Sequence, residues 1–293
     1  MPYYQRWLLA IRPKTLTISI SPVVAGSCLG WSESGQLLWM PALVALLGAI
    51  LIQVGTNLHN DAADFERGAD GEDRLGPPRA SAQGWLTPGQ VKQGALVSFS
   101  LAFVAGIYLV WVGGWPIVAI GLLSLVAGYA YTGGPRPIAY HASGELFVFL
   151  FFGLAAVLGS YYLQAGNISL SALIVAIGIG LPASAVLLVN NYRDLETDRK
   201  VRKLTLSHHL GRPGSRALYT LLMLLPFLVP LWPGLPQPET WLILICLPWA
   251  LLLVLRFHRE QPGPGFNTIL AQTALFQLAY SLLLSTALFA SLA

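Results

Sequence analysis

The sequence predicts an all-α integral membrane protein with nine transmembrane helices, and three observations support this prediction. Of the 293 residues, 55% are hydrophobic and only 10% are charged, whereas a soluble domain carries roughly 25% charged residues. The hydrophobic residues form nine continuous segments, each near the roughly 20 residues that a spanning helix needs. All 17 Lys and Arg residues lie at the N-terminus or in alternate connections between these segments.

The apolar segments follow one another in order along the chain, at approximately 15–31, 38–57, 93–112, 115–132, 144–163, 168–189, 216–233, 240–256 and 267–290. The first segment is the least apolar because it is rich in Ser, Thr and Gly, which is typical of helices that pack closely inside a bundle. The segments are continuously apolar and do not alternate with polar residues, so the sequence excludes a transmembrane β-barrel.

The distribution of charge predicts the orientation of the chain. The N-terminus and the connections after segments two, four, six and eight carry every Lys and Arg, and the other connections carry none. Cationic connections remain in the cytoplasm, so we expect a cytoplasmic N-terminus and an external C-terminus. We expect one transmembrane domain, 1–293, whose cytoplasmic connections 58–92, 133–143 and 190–215 cap an active site. The net charge of +4 does not indicate nucleic acid, because no nucleic-acid-binding motif accompanies it.

Two acidic segments begin where predicted helices end on the cytoplasmic side. In the first acidic segment (57–74), Asn60 and Asp64 are four residues apart, and Asp70, Glu72 and Asp73 follow. In the second acidic segment (190–200), Asn190, Asp194 and Asp198 are spaced by four. Residues at this spacing stack along one helical face. Ordinary solvated loops are an alternative for one such segment, but the repetition about 130 residues apart favours a paired site.

The composition of these segments predicts a magnesium–diphosphate site. Stacked carboxylates repel one another unless a cation lies between them, and hard oxygen ligands without a Cys or His pair favour Mg²⁺. Magnesium commonly binds one or two carboxylates together with substrate phosphates. Cations interleaved with the acids are suited to contact phosphate oxygens directly; they are Arg67, Arg74, Arg79, Arg193, Arg199 and Lys203.

A third connection, "YTGGPRPIAYHASGE" (131–145), lies on the same predicted side. The two glycines and two prolines at 133–137 predict a tight, non-helical turn. Arg136 lies at the tip, between Tyr131 and Tyr140. One interpretation is a turn with interfacial tyrosines, which are common at membrane surfaces. We favour a second, in which Arg136 binds phosphate and the tyrosine rings line the approach to a carbocation.

Four motifs resemble those of the UbiA superfamily of intramembrane aromatic prenyltransferases, and the resemblance extends over nearly the whole chain. The motifs are "RPKTL" (12–16), "NDAADFERGADGEDRLGPPR" (60–79), "YTGGPRPIAY" (131–140) and "NNYRDLETDRKVRKLTL" (190–206). They are most similar to the menaquinone branch, whose acceptor is 1,4-dihydroxy-2-naphthoate. The resemblance implies a UbiA-like helical bundle in the bacterial cytoplasmic (inner) membrane, with the active site facing the cytoplasm. It also implies prenyl transfer from a polyprenyl diphosphate with loss of CO₂ and diphosphate.

The resemblance also implies roles for individual residues. Asp64, Asp194 and Asp198 are the expected catalytic magnesium ligands, and Arg136 is expected to stabilise the leaving diphosphate. Gly68 replaces an Asp that is frequent in the superfamily, so Asp70, Glu72 and Asp73 remain alternatives for the additional ligand of the first segment. The further substrate-binding candidates are Asn60, Asn190, Arg12, Lys14, Arg74, Arg79, Tyr131, Tyr140, Arg193 and Lys203. Of these, Arg12, Lys14 and Arg74 are candidates for binding the acceptor's carboxylate.

Two alternative functions remain at this stage. The first is the same chemistry with 4-hydroxybenzoate or homogentisate as the aromatic acceptor. The second is an ion-coupled transporter, whose ionisable groups usually lie near the middle of the bilayer. Here the acids cluster at helix ends on one side, which favours the prenyltransferase.

Overall fold

The computed structural model describes residues 1–71 and 74–290, and these residues contain helices and no β-strand. The α-helices are α1 (Tyr3–Ile11), α2 (Pro13–Ser34), α3 (Trp39–Glu66), α4 (Pro88–Gly113), α5 (Trp115–Ala130), α6 (Gly144–Val148), α7 (Ala156–Ala165), α8 (Leu170–Arg193), α9 (Leu195–Lys200), α10 (Leu206–Leu224), α11 (Leu247–Arg259) and α12 (Phe266–Ala290). A π-helical stretch, Phe149–Ala155, joins α6 to α7, and 3₁₀ helices cover Leu225–Leu231 and Glu239–Cys246.

Each predicted apolar segment is helical along most of its length, and segments 144–163, 216–233 and 240–256 are each covered by two or three consecutive helical stretches. In the described residues, 7 helices are long and apolar enough to cross a membrane. The count reaches 8 when α1 and α2, which meet at a bend of 49°, are taken as one span. The helix α5 is apolar but has only 16 residues, which is shorter than the roughly 20 that cross a bilayer without tilt or thinning. The structure therefore confirms a multi-span helical membrane protein with at least seven candidate spans.

The helix boundaries follow local sequence signals. Thr87 caps α4 in a capping box with Gln90, and Pro88 occupies the first helical position, where its missing N–H is not needed. After α3, Gly68 adopts a φ of 72°, and Ala69 N donates to Asp64 O at 2.9 Å. This closing turn brings the chain back towards the end of α3.

The helices pack closely through small residues, as expected for a membrane bundle. A Cβ added at Gly26 of α2 would lie 2.3 Å from Val157 O of α7, and one added at Gly153 would lie 2.7 Å from Gly180 Cα. The helix α8 contributes the largest number of buried residues and lies at the centre of the bundle. It carries the second acidic segment at its C-terminal end, so this segment is anchored to the best-packed helix.

Hydrogen bonds bring the five cationic regions of the sequence to one end of the bundle, here called the charged end. Arg6 Nη1 donates to Trp85 O at 3.1 Å, and Arg67 Nη2 donates to Gly134 O at 3.1 Å. Leu204 N donates to Tyr140 O at 3.1 Å, and Asn267 Nδ2 donates to Leu75 O at 2.8 Å. At the opposite end, Gln164 pairs with both backbone groups of Leu38, and Ser171 Oγ donates to Gly234 O. The predicted partition of the connections into two groups is therefore present in the fold.

Candidate active site

The first acidic segment places Asp64 in a buried network at the C-terminal end of α3. Asn60 Nδ2 donates to Asp64 Oδ2 at 2.8 Å, as expected for residues four apart on a helix. Tyr140 Oη donates to Asp64 Oδ1 at 3.1 Å, and Arg79 Nη2 lies 3.5 Å from Oδ2. Arg12 Nη2 donates to Asn60 Oδ1 at 3.1 Å. The Asp64 carboxylate is consequently held by residues from three regions of the chain.

The turn at Gly68 carries Asp70 out of the helical register and folds it back against two arginines. Arg74 Nη1 pairs with Asp70 Oδ1, and Arg79 Nε lies 3.7 Å from the same oxygen. The other oxygen, Oδ2, is buried without a hydrogen-bond partner. Burial raises the pKa of Asp70 to about 6, although the neighbouring Arg74 guanidinium lowers the pKa in opposition. Burial therefore makes the charged carboxylate less favourable than in water, and a further cation beside Oδ2 would stabilise it.

The second acidic segment crosses the junction of α8 and α9 at Asp194, whose backbone is not helical, but backbone hydrogen bonds between residues four apart continue across it. Asp194 N donates to Asn190 O and Asp198 N donates to Asp194 O, at 3.1 and 2.8 Å. Arg193 donates to both oxygens of Asp194, from Nε at 2.7 Å and from Nη2 at 2.6 Å. The same guanidinium donates to Asn190 Oδ1 at 2.9 Å and to Asn267 Oδ1 at 2.7 Å. This fork fixes Asp194 from the adjacent residue.

Asp198 is held by a cation from the following turn. Lys203 Nζ donates to Asp198 Oδ1 at 3.2 Å, while Oδ2 is buried without a hydrogen-bond partner. Burial raises the pKa of Asp198 to about 6, with the positive charge of Lys203 acting in the opposite direction. Asp70 and Asp198 thus each present a buried carboxylate oxygen with an unused acceptor.

Tyr140 connects the two acidic segments. Its hydroxyl contacts Asp64, its carbonyl accepts from Leu204 N, and the Lys203 Nζ lies 6.0 Å from the centre of its ring. The Arg67 guanidinium lies over the same ring at 5.3 Å. The tyrosine of the third connection is therefore surrounded by two cations and joined to a carboxylate.

A large cavity of about 1190 Å³ begins beside these residues and extends between the helices. At the charged end its walls carry carboxylate, amide, Arg and Lys side chains, and towards the opposite end they become apolar, with Leu109, Ile117 and Leu163. The exposed residues Ile107 and Leu122 also line it, so the apolar part reaches the lipid-facing surface. A cavity of this kind suits a molecule with an anionic head and a long apolar tail.

The structure brings most of the predicted binding residues to this cavity. The predicted residues that line it are Arg12, Lys14, Asn60, Asp64, Arg74, Arg79, Tyr131, Asn190, Arg193 and Lys203. Asp70, Asp194, Asp198 and Tyr140 lie in the networks directly behind this wall. Arg136 is exposed at the tip of its turn and is not among the residues that line the cavity. Glu72 and Asp73, the other candidate ligands of the first segment, lie outside the described residues.

Three contributions to the site were not predicted from the sequence. Asp61 accepts the N–H groups of Ala80 and Ser81, both at 2.9 Å, and so holds the turn that follows Arg79. Asn267, at the start of α12, links Arg193 to Leu75 O across 74 and 192 residues. Asn191 lines the cavity and is paired with a buried carboxylate, that of Glu145. Asp61 and Asn191 lie within the two acidic segments, and Asn267 is an isolated polar residue at the start of the last apolar segment; these positions were the available signals.

The residues present fit a magnesium ion shared with a diphosphate better than a closed protein site. Among the described residues, no group of three or more His, Cys, Asp or Glu side chains is close enough to hold a metal. The two unpartnered oxygens of Asp70 and Asp198 are hard ligands, and Mg²⁺ typically completes its shell with substrate phosphates and water. Arg79 also has buried nitrogens, Nε and Nη1, without a hydrogen-bond partner.

Comparison with known proteins gives one family and a group of close relatives. The model of the UbiA prenyltransferase family matches residues 19–290. The chain is 34% identical to the 1,4-dihydroxy-2-naphthoate octaprenyltransferase of Mycobacterium tuberculosis, with 98% of both chains covered. It is 32% identical to the enzyme of the same name from Bacillus subtilis, covering 97% of this chain and 92% of that one.

Solved structures show the same fold at low sequence identity. A UbiA homologue from Archaeoglobus fulgidus bound to GPP and Mg²⁺ superimposes with a TM-score of 0.70 at 14% identity, over 97% of this chain and 99% of that one. The apo structure of a UbiA homologue from Aeropyrum pernix gives a TM-score of 0.70 at 13% identity, over 95% and 98% of the two chains.

Proposed function

Because the chain belongs to the UbiA prenyltransferase family, we propose that it transfers a polyprenyl group from polyprenyl diphosphate to 1,4-dihydroxy-2-naphthoate. This reaction forms the hydroquinone of demethylmenaquinone, which a separate two-electron oxidation converts to the quinone, and it belongs to menaquinone biosynthesis. The observation that carries the proposal is the cavity that joins two acidic segments, rich in cations, to an apolar interior open to lipid. The acceptor follows from the relatives, which are named 1,4-dihydroxy-2-naphthoate octaprenyltransferases at 32 and 34% identity over nearly the full chain.

The charged end binds the diphosphate of the donor. Arg79 and Lys203 line the cavity. Arg79 lies beside the Asp64 carboxylate and Lys203 beside the Asp198 carboxylate, so each cation can contact both a carboxylate and the diphosphate. Arg12, Lys14, Arg74 and Arg193 surround the same opening, and Asn60 and Asn190 supply amides to it. These residues hold a polyanionic head at the mouth while the tail lies among apolar side chains.

Magnesium is the cofactor that this donor set fits, with Asp64, Asp70, Asp194 and Asp198 as proposed ligands and Asp73 as a further candidate. When bound, the ion neutralises charge on the diphosphate as the allylic carbon–oxygen bond breaks. The UbiA homologue from Archaeoglobus fulgidus was solved with both GPP and Mg²⁺ bound, which supports a metal-dependent reaction.

The side chains of this chain contribute to the reaction by binding, orientation and exclusion of water. The allylic carbon–oxygen bond breaks, and the electron pair leaves with the diphosphate, whose charge Arg79 and Lys203 stabilise. The ring carbon that bears the carboxylate forms the new carbon–carbon bond, and the carboxylate then leaves as CO₂. Tyr131 lines the cavity, and its ring is suited to stabilise the allylic cation. Tyr140 lies behind the wall with Arg67 and Lys203 over its ring, so its contribution is the hydrogen bond to Asp64. We propose that the 133–143 connection closes further when substrate binds, bringing Arg136 to the leaving group.

We further propose nine transmembrane spans in a single domain, 1–293, with the N-terminus in the cytoplasm and the C-terminus outside. Two observations support this topology. All 17 Lys and Arg residues lie at the N-terminus or in alternate connections between the apolar segments, and these regions contact one another at the charged end. Connections 58–92, 133–143 and 190–215 then form the cytoplasmic cap. The protein belongs to the bacterial cytoplasmic membrane, with its site facing the cytoplasm.

A turnover assay tests the function directly. Purified protein in lipid, supplied with Mg²⁺, labelled polyprenyl diphosphate and 1,4-dihydroxy-2-naphthoate, should release CO₂ and diphosphate in equal amounts and form the hydroquinone of demethylmenaquinone, which is measured as demethylmenaquinone after oxidation in air. EDTA should stop both releases. Prenylation of 4-hydroxybenzoate without CO₂ release, and none of the naphthoate, would show that the acceptor assignment is wrong while leaving the family assignment intact.

A further inference from the structure

A buried pair of side chains, Glu145 and Asn191, adjoins the cavity and has no part in the diphosphate contacts described above. Glu145 lies in the first turn of α6 and is only 4% exposed. Its Oε1 accepts from Asn191 Nδ2 at 2.9 Å. Ser184 Oγ, on the same helix as Asn191, donates to the Glu145 main-chain oxygen at 3.0 Å, so the first turn of α6 is fixed to α8 at two points.

The carboxylate determines which end of the Asn191 amide faces the cavity. In the structure the NH₂ group of the Asn191 amide points towards Glu145 and donates to Oε1, which uses this carboxyl oxygen as an acceptor. The carbonyl oxygen of Asn191 is then the group that remains for another partner. Asn191 lines the cavity, whereas Glu145 lies behind it. Burying the Glu145 carboxyl group costs free energy. We take this cost as an argument that Glu145 has a role in orienting Asn191.

The depth of Asn191 matches the position of the reacting ring. The helix α8 runs from the opposite end of the bundle towards the charged end, so residues before Asp194 lie deeper in the cavity. Asn191 precedes Asp194 by three residues, which is about 4.5 Å along a helix. With the diphosphate bound beside Asp194, the allylic carbon lies roughly at the level of Asn191. The attacking ring must lie at the same level.

We propose that Asn191 Oδ1 accepts a hydrogen bond from a ring hydroxyl of the aromatic acceptor, and that Glu145 is a positioning residue that fixes the amide for this contact. The inference rests on the proposed function and adds a subsite for the hydroxyl. The hydrogen bond orients the ring and increases its electron density by drawing on the hydroxyl proton. It also selects acceptors that carry a hydroxyl at that position, because the amide oxygen is left unpaired by an acceptor without one.

Steady-state kinetics with both substrates varied test the pair. Asn191→Leu should lower kcat/KM for 1,4-dihydroxy-2-naphthoate at least tenfold, on the order expected for one lost hydrogen bond in a buried site. The KM for the polyprenyl diphosphate should remain within about twofold. Glu145→Leu should have a similar effect, and the double variant should be no worse than either single one. Glu145→Gln should retain most activity, because its amide oxygen still accepts from Asn191.

Ser184→Ala is the matched control, since it removes a hydrogen bond between the same helices without touching the Glu145 carboxylate. It should leave both KM values unchanged. Unchanged acceptor kinetics in Asn191→Leu, or an equal loss with both substrates, would overturn the inference while leaving the proposed function standing. Absence of naphthoate turnover in the wild-type protein would instead overturn the proposed function, and the inference with it.

Binding of monohydroxy analogues gives a second test, whose main measurement is made on the wild-type protein. The two probes are 1-hydroxy-2-naphthoate and 4-hydroxy-2-naphthoate, each lacking one hydroxyl of the acceptor. As competitive inhibitors of the wild-type protein, one of them should bind at least tenfold more weakly than the other. In Asn191→Leu this difference should disappear. Equal inhibition of the wild-type protein by both would contradict the proposed hydroxyl contact.

Discussion

The two acidic segments begin alike, with Asn and Asp four residues apart at the end of a long helix, but they hold their carboxylates differently. Asp64 depends on Tyr140 and Arg79, which come from other regions of the chain. Asp194 is paired with the adjacent Arg193, in a fork that uses both carboxylate oxygens. The first arrangement is assembled by tertiary structure and the second is largely local.

This difference shows that equal ligand spacing does not imply an equal electrostatic environment. In the second segment, hydrogen bonds between residues four apart continue through Asp198 across the junction of α8 and α9. In the first segment Gly68 ends this pattern, and a turn supplies Asp70. Both designs nevertheless leave one buried carboxylate oxygen unpartnered, on Asp70 and on Asp198. The segments therefore offer matching ligands in different frameworks, and mutations should separate the shared role from the different supports.

The largest effect is expected where the two segments act alike. Asp64→Ala, Asp194→Ala and Asp198→Ala should each reduce turnover more than roughly 100-fold, because each removes an electrostatic stabiliser of the leaving group. Product formation in membranes measures this effect, with immunodetection of the inserted protein as the control. Near-normal activity in any two of the three variants would refute the shared role.

A smaller loss should follow from disturbing the local support of the second segment. Arg193→Lys removes the planar fork that spans Asp194, Asn190 and Asn267. We expect a loss of about 2 kcal/mol, or roughly thirtyfold, in kcat/KM. Arg256→Lys is the control, since Arg256 is partly exposed and contacts Gln272 and Glu260 away from the cavity. Equal effects of the two substitutions would show that the fork has no special role.

Removing one tertiary contact of the first segment, the hydrogen bond from Tyr140 to Asp64, should lower activity about tenfold. Tyr140→Phe keeps the ring between Arg67 and Lys203 but removes the hydroxyl that donates to Asp64 at 3.1 Å. A hydrogen bond to a charged group contributes about 1.5–3 kcal/mol. Tyr161→Phe is the matched control, because Tyr161 donates to the Glu33 carboxylate at the opposite end of the bundle. Activity measurements that rank Tyr161→Phe as the more damaging change would contradict this account.

The smallest effect is expected for the exposed ion pair beside the first segment. Lys92 Nζ lies 2.7 Å from Glu66 Oε1, with the two side chains 45% and 47% exposed. Solvent and salt screen such a pair, so Lys92→Ala should change activity by less than about twofold. A larger loss in the same turnover assay would indicate that charge anywhere near the first segment matters, and not only the buried network.

Much of the fold is predictable because its signals are local. Continuous apolar runs place the spans, and the one-sided distribution of cations groups their connections. The bend between α1 and α2 is less accessible, since it depends on Arg12 adopting a φ of 58°, which non-glycine residues rarely do. The short helix α5 and the π-helical stretch Phe149–Ala155 likewise depend on packing against neighbours that sequence alone does not reveal.

The candidate site likewise contains residues that the sequence predicts and residues that it does not. The acidic residues were predictable because spacing and repetition mark them within the sequence. Asn267 and the Glu145–Asn191 pair were not, because their partners lie 46 to 192 residues away and each polar residue borders an apolar run. For Arg136, the sequence predicts its position at the tip of the turn. It does not predict the direction of the side chain, which decides whether the residue reaches the cavity.

Metal binding in the presence of a donor analogue tests most directly whether both acidic segments form one diphosphate site. Purified protein is titrated with Mn²⁺, followed by electron paramagnetic resonance, with geranyl S-thiolodiphosphate present. We predict tight Mn²⁺ binding that depends on the analogue and is lost in both Asp64→Ala and Asp198→Ala. Wild-type affinity in one of these variants, with loss in the other, would contradict the account by showing that a single segment holds the ion.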